Sequence, residues 1–166
     1  MKKILIITYY WPPMGGGGVQ RWLKTTKYIR EYGWEPIIFT PENGEIAILD
    51  EEMVKEIPKG VQEIRTPIWE PFDLYKKLLG KKKEEKLVPG MAQGEKENSF
   101  LQSLSVFIRG NFFIPDARKF WIKPASKFLI NYLKENKIDA IVSTGPPHST
   151  HIIALNAVKK HNIPWL

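Results

Sequence analysis

The chain contains no cysteine. Disulfide staples, thiolate zinc sites and cysteine nucleophiles are therefore excluded, and stability has to come from a packed core. The absence fits a cytoplasmic protein. Long apolar runs are missing too: no stretch approaches the roughly 18 residues that a membrane-spanning helix needs. The N-terminus has basic Lys2 and Lys3, but the apolar run after them, Ile4-Leu5-Ile6-Ile7, stops at Thr8. Bulky Tyr9, Tyr10 and Trp11 follow where a cleaved leader would need small residues, so the run reads as a buried strand.

What is present is ordinary for a globular domain. The 166 residues leave room for one sizeable core and hardly for two. The hydrophobic share is 43% and the charged share 26%. The formal net charge is +7, from 25 basic and 18 acidic residues. Much of the excess is local, in Lys76, Lys77, Lys81, Lys82, Lys83 and Lys86 and in Arg118, Lys119, Lys123 and Lys127. Such groups are either solvated faces or attract anionic partners such as nucleotide phosphates or an acidic membrane surface. Nucleic acid is not expected as a partner, because no recognisable binding module accompanies the charge.

The apolar pattern predicts a parallel α/β domain. Lys2–Thr8 is continuous and rich in β-branched residues, as suits a strand covered on both faces. From Val19 to about Tyr32, Val19, Trp22, Leu23, Thr26 and Ile29 recur on one helical face, and Gly33 closes the helix. Pro36–Thr40 is a second strand, which completes a βαβ unit. A short helix is expected within 45–57 and a third strand at Val61–Thr66. Helical turns are expected at Phe72–Leu79 and Ser99–Arg109, with 80–98 between them as a charged, flexible insertion. Pro124 is expected to open a helix that runs to about Asn136. Ile138–Ser143 is the clearest late strand, Ser149–His161 a further helix, and Ile163–Leu166 the start of another strand.

Gly15-Gly16-Gly17-Gly18 stands between the first strand and the first helix. Glycines there let the backbone approach a ligand closely, and a helix start offers unpaired N–H groups and a positive dipole end to a phosphate. Arg21, one turn on, can add a charge-assisted hydrogen bond. Two phosphate motifs fail here. The dinucleotide fingerprint that starts at Gly15 needs its third glycine where Gln20 stands. The Walker pattern needs Gly-Lys-Ser/Thr, whereas Gly18 is followed by Val19 and Gln20.

In this order, three segments resemble the family-4 glycosyltransferases of the GT-B fold. They are Tyr9-Tyr10-Trp11-Pro12-Pro13 followed by Gly16-Gly17-Gly18-Val19-Gln20-Arg21, then Gly33-Trp34-Glu35-Pro36-Ile37-Ile38, and finally the stretch from Asp139 to Ser149. Trp34 stands where the family commonly has histidine. The resemblance spans most of the chain apart from 80–98. It implies a Rossmann-like parallel sheet flanked by helices, the N-terminal half of a GT-B fold, with a cleft towards a second Rossmann-like domain. The N-terminal domain of such enzymes chiefly binds the acceptor, and its glycine turn reaches towards the donor diphosphate. The C-terminal domain binds the nucleotide-sugar and carries an acidic motif absent here. The reaction implied is sugar transfer with retention of configuration, from a nucleotide-sugar to a saccharide or lipid-linked acceptor, as in surface polysaccharide or glycoconjugate synthesis. The nucleotide-sugar is a substrate; no cofactor and no metal are implied.

The residue assignments follow the resemblance. Gly15, Gly16, Gly17, Gly18 and Arg21 are expected at the donor diphosphate or the acceptor. His148 is expected as the cleft histidine, with Ser143 or Thr144 as the alternative occupants of that role, and His151 is expected to be structural. Tyr10, Trp11, Asp116, Arg118, Ser143, Thr144 and Gly145 are the candidate acceptor contacts; a local salt bridge or a helix-start contact is the equal alternative for Asp116 and Arg118, and a place in the core or an interface the alternative for the aromatics. Tyr9, Phe112 and Phe113 are further aromatic candidates, because sugars stack on aromatic faces. The Lys76–Lys86 cluster is a candidate for peripheral contact with an anionic membrane. Because residues 163–166 open a strand, a longer two-domain protein is expected, with 1–166 as its acceptor-side domain and little activity alone. The competing expectation is a stand-alone Rossmann-like binding module.

Overall fold

The computed structural model describes residues 1–46, 48–70 and 113–166. The expected insertion 80–98, the expected helices at 72–79 and 99–109, the Lys76–Lys86 cluster and Phe112 lie outside them. The described chain runs β1 (Lys2–Ile7), α1 (Gly17–Tyr28), a 3-10 turn (Ile29–Tyr32), β2 (Trp34–Pro41), α2 (Glu52–Lys55), β3 (Gln62–Thr66), α3 (Lys119–Glu135), β4 (Ala140–Ser143) and α4 (Ser149–His161).

The four strands are parallel and ordered β3-β2-β1-β4. This is a Rossmann-like α/β fold. The apolar run Ile4-Leu5-Ile6-Ile7 takes an inner position, with Leu5 paired to Ile37 on one side and to Ile141 on the other. Leu5, Ile6 and Ile7 have no exposed surface, which is what a strand without alternation requires. Right-handed crossovers put α1 on one face of the sheet and α3 on the other, because the β3-to-β4 connection runs back across the sheet. α4 packs beside α3. Val19, Leu23 and Thr26 are the buried stripe of α1.

Three element boundaries differ from the sequence expectation. Helix α1 tightens into the 3-10 turn at Ile29, and Gly33 closes it in the left-handed region, at φ 79°. The helix expected within 45–57 shrinks to α2, since 48–50 is drawn instead into backbone bonds with 13–15. Helix α3 begins at Lys119, so Pro124 lies inside it rather than opening it. The earlier start is fixed by Trp121, which is fully buried, stacks on Phe39 at 5.5 Å and donates Nε1–H to Thr66 Oγ1 at 2.9 Å. Residues 163–166 extend the sheet beyond β4. Ile141 N–H donates to Pro164 O, Leu166 N–H to Ile141 O and Ser143 N–H to Leu166 O.

Candidate functional site

The site is built at the C-terminal ends of β1 and β4. From β1 the chain moves outward to α1 and β2 in one direction, and β4 lies on the other side, so the strand order reverses between these two. In open α/β sheets such a switch point leaves a crevice outside the strand ends. A cleft of about 410 Å³ opens here, and two loops supply much of its wall. The β1–α1 loop gives Tyr10, Met14 and Gly15, and the start of α1 gives Gly18 and Arg21. The β4–α4 loop gives Thr144, Gly145 and Pro146.

The glycines of the turn have different reasons to be glycine. Gly15 is crowded: a Cβ there would lie 2.9 Å from Ile48 Cγ2 and 3.0 Å from Asp50 Cβ. Its N–H donates to Ile48 O at 2.8 Å, part of a short antiparallel pairing that brings Ile48 to the cleft wall. Gly16 has φ 105°, in the region that side chains avoid, and its carbonyl accepts from Val19 and Gln20 to start α1. Gly17 and Gly18 carry neither constraint. A Cβ on Gly17 would meet nothing within 4 Å, and one on Gly18 only Tyr10 Cδ2 at 3.8 Å. Their N–H groups have no hydrogen-bond partner among the described residues, and no side chain caps the helix. No acidic residue occupies the first turn of α1. The helix start thus carries free donors and positive potential beside the cleft, with Gly18 on its wall.

Of the expected site residues, the structure brings Tyr10, Gly15, Gly18, Arg21, Thr144 and Gly145 to one cleft, with Gly16 and Gly17 in the turn between. Trp11, Asp116 and Arg118 make contacts of their own, and His148 stands beside the cleft loop, its Nδ1 3.3 Å from where a Cβ on Gly145 would lie. Trp11 is 1% exposed and belongs to the core rather than the wall. Asp116 is consumed by α4: its carboxylate accepts from Ser149 N–H and Ser149 Oγ–H, each at 2.7 Å, and from Arg118 N–H at 2.8 Å. Arg118 enters a half-buried polar network, with Nε 3.0 Å from Glu70 Oε1 and the guanidinium 4.9 Å above the Tyr9 ring. Tyr9, itself fully buried, donates to Glu70 Oε1 at 2.9 Å, and burial pushes its phenol well above the ordinary range. Burial likewise raises the Glu70 carboxyl, against the pull of Arg118. His148 is exposed at the start of α4, with its ring centroid 5.8 Å from that of His151, and makes no side-chain hydrogen bond among the described residues.

Sequence reasoning missed Thr8, Met14, Val19 and Ile48 as cleft walls. Ile48 carries no local signal, because only the pairing with Gly15 brings it there. It also missed the contact of Ser143 with His151, at 2.7 Å. Among the described residues no group of three or more His, Asp or Glu is placed to hold a metal ion, and no helix is long and apolar enough to cross a membrane.

Fold and cleft together define the class: a Rossmann-like α/β domain with a glycine-lined crevice at its switch point. No family model and no curated protein matches the chain. Solved structures match in fold. MurG of Acinetobacter baumannii aligns with a TM-score of 0.51 and 16% identity, over 99% of this chain and 34% of its own. The C-terminal domain of the PF1911 hydrogenase of Pyrococcus furiosus aligns with a TM-score of 0.50 and 15% identity, over 99% of this chain and 89% of that one. A glycosyltransferase of Rickettsia africae gives 0.46 at 16% identity, over 99% of this chain and 28% of its own. The chain therefore spans about a third of the length of MurG. At these identities the likeness is one of fold.

Proposed function

We propose that the chain is the acceptor-side domain of a glycosyltransferase, and that its cleft binds the diphosphate of a nucleotide-sugar beside the acceptor. The observation that carries this is the glycine turn. Gly17 and Gly18 have no steric reason to lack a side chain, yet they leave two unpaired N–H groups at the start of a helix whose Gly18 and Arg21 line the switch-point cleft. A diphosphate oxygen satisfies those donors. Tyr10, Thr144 and Gly145 then flank the sugar or the acceptor. Transfer, with retention of configuration as the resemblance implies, needs a second Rossmann-like domain that closes the cleft and supplies acidic residues. The acceptor in this reading is a saccharide or a lipid-linked saccharide, as in surface polysaccharide synthesis. Exposed Lys123 and Lys127 on α3 support attraction to an anionic membrane surface from the cytoplasmic side.

Titration of the 166-residue chain with UDP by calorimetry or NMR tests the reading. Saturable binding is expected. Arg21→Ala should weaken it about tenfold, the loss of one charge-assisted hydrogen bond. Gly17→Val should abolish it with the fold intact, since a branched side chain then stands over the free donors. Unchanged affinity in both variants would remove the anion role of the turn.

A second reading has one observation in its favour. The same fold covers 89% of the Pyrococcus furiosus domain, a chain of similar extent. On that reading the domain is a ligand-binding module with no transferase partner, and it binds phosphate-bearing ligands regardless of any attached sugar. Equal affinity for UDP and for inorganic diphosphate would favour it.

A further inference from the structure

The loop that pairs with the glycine turn carries apolar side chains that the fold leaves in water. Ile48 is 59% exposed, Leu49 60% and Ile46 40%. Single exposed apolar residues are ordinary on a protein surface, but here three fall within four positions. Their backbone is held firmly. Gly15 N–H donates to Ile48 O and Asp50 N–H to Pro13 O, each at 2.8 Å, and Met14 and Leu49 form an antiparallel bridge between those bonds.

The side chain of Ile48 is placed as closely as its backbone. A Cβ on Gly15 would lie 2.9 Å from Ile48 Cγ2, so the isoleucine leans on the turn where glycine leaves room for it. Ile48 lines the cleft, as do Met14 and Val19. Gly18 and Arg21 line the same cleft from the start of α1. Apolar wall and anion-binding helix start therefore share one cleft. The three apolar side chains offer no strong hydrogen-bond partner to a sugar hydroxyl. An anionic bilayer does not suit the loop either. Residues 42–54 hold five carboxylates and no basic residue, a charge that such a surface repels. A single chain of methylenes asks only for contact and the exclusion of water.

We propose that Ile48, with Met14 and Val19, forms an apolar subsite that takes the alkyl or prenyl chain of a lipid-linked acceptor. Ile48 is then a specificity-determining residue, which selects a lipid-linked acceptor over a free saccharide. Gly15 serves the subsite by admitting the Ile48 side chain to the wall. The acceptor needs an apolar chain next to the hydroxyl that receives the sugar. The assignment rests on the acceptor-side reading of the cleft.

Titration of the chain with alkyl glucosides of rising length, methyl to hexyl, in the presence of UDP tests it. Carbon-13 labels on the isoleucine methyls let each titration read Ile48 directly. Affinity should rise by about fourfold for each methylene that becomes buried, and the Ile48 signal should shift along the same curve. Ile48→Ser should flatten the series; a side chain more than half exposed can be truncated without opening the core. If UDP binds while methyl and hexyl glucoside show the same affinity or none, the subsite is overturned and the cleft reading stands. No UDP binding removes the cleft reading and the subsite with it. A chain-length series that leaves the Ile48 signal still, or that survives Ile48→Ser unchanged, refutes the assignment to this wall. Without such a series, Ile48-dependent sedimentation with phosphatidylcholine vesicles would give the loop to a bilayer, and an Ile48-dependent dimer would give it to a second copy; either overturns the proposal. The wild-type series decides the matter even if the variant fails to fold.

Discussion

Gly15, Gly16 and Gly17 are neighbours with three different physical roles, and substitution separates them. Gly15→Ala forces a Cβ against Ile48 and Asp50 and should cost about 1–3 kcal/mol, as overpacking does. Gly16→Ala should cost about 1–2 kcal/mol through its positive φ. Gly17→Ala meets open space in a helix and should leave stability unchanged or raise it by up to about 1 kcal/mol. Urea denaturation of the three variants checks the order; a Gly17→Ala protein as weak as Gly15→Ala would show that the turn is purely structural. His151 makes a second prediction at this scale. Its pKa in the folded state lies below the unfolded value near 6.5. The unfolded chain therefore takes up the proton first as pH falls. The stability linked to this group is complete above about pH 6.5 and is lost as pH drops through that value towards the folded pKa. Urea midpoints measured from about pH 7.5 down to 5.5 should fall more steeply for wild type than for His151→Gln; parallel curves would assign the acid loss elsewhere. The glycine run and Arg21 were legible in the sequence because local chemistry marks them. The crowding of Gly145 was not: a Cβ there would lie 2.6 Å from His151 Nε2, and only the fold brings that ring over the loop.

At the scale of elements, Asp116 takes up the second of its two expected roles, that of a helix-start contact. It precedes α3, yet its carboxylate caps the first turn of α4, through Ser149 N–H and Oγ–H. It completes the start of a helix with no acidic residue in its first turn and no cap of its own. Asp116→Ala should lower stability by about 1–2 kcal/mol, in the range for lost caps, and speed amide exchange in the first turn of α4. Unaltered exchange at Thr150 and His151 would mean that the cap is dispensable. The sequence showed the helices and strands with continuous or periodic apolar runs: β1, β2, β4 and α4 lie where their patterns predict. It misplaced the start of α3 because proline is usually read as an opener. There the burial of Trp121 against Phe39 and Thr66 outweighs the hydrogen bond that Pro124 cannot make. The antiparallel contact of 48–50 with 13–15 had no pattern to reveal it, being a pairing of loop backbone.

At the scale of the whole molecule, the sheet joins near and far parts of the chain unequally. β2 reaches β1 through one local crossover, and β3 joins β2 in the same sense, so this half of the sheet follows from the order of elements. β4 returns from the far end of the chain: Lys3 N–H donates to Asp139 Oδ2 at 2.7 Å, across a separation of 136 residues. Composition does not anticipate that placement; the Rossmann-like strand order, in which the fourth strand returns beside the first, does. Of the four strands, β1 is made before the others and is an inner strand, with one partner available early and the other only after residues 140–143 have emerged. Until then its second edge is an open template for pairing with other chains. Nascent chains halted with residue 136 outside the ribosome should be digested readily by protease, and those halted with Leu166 outside should resist it; equal resistance at both lengths would show that β4 is not what closes the sheet. Assembly of the cleft waits on the same event, because its two loops meet only when β4 docks.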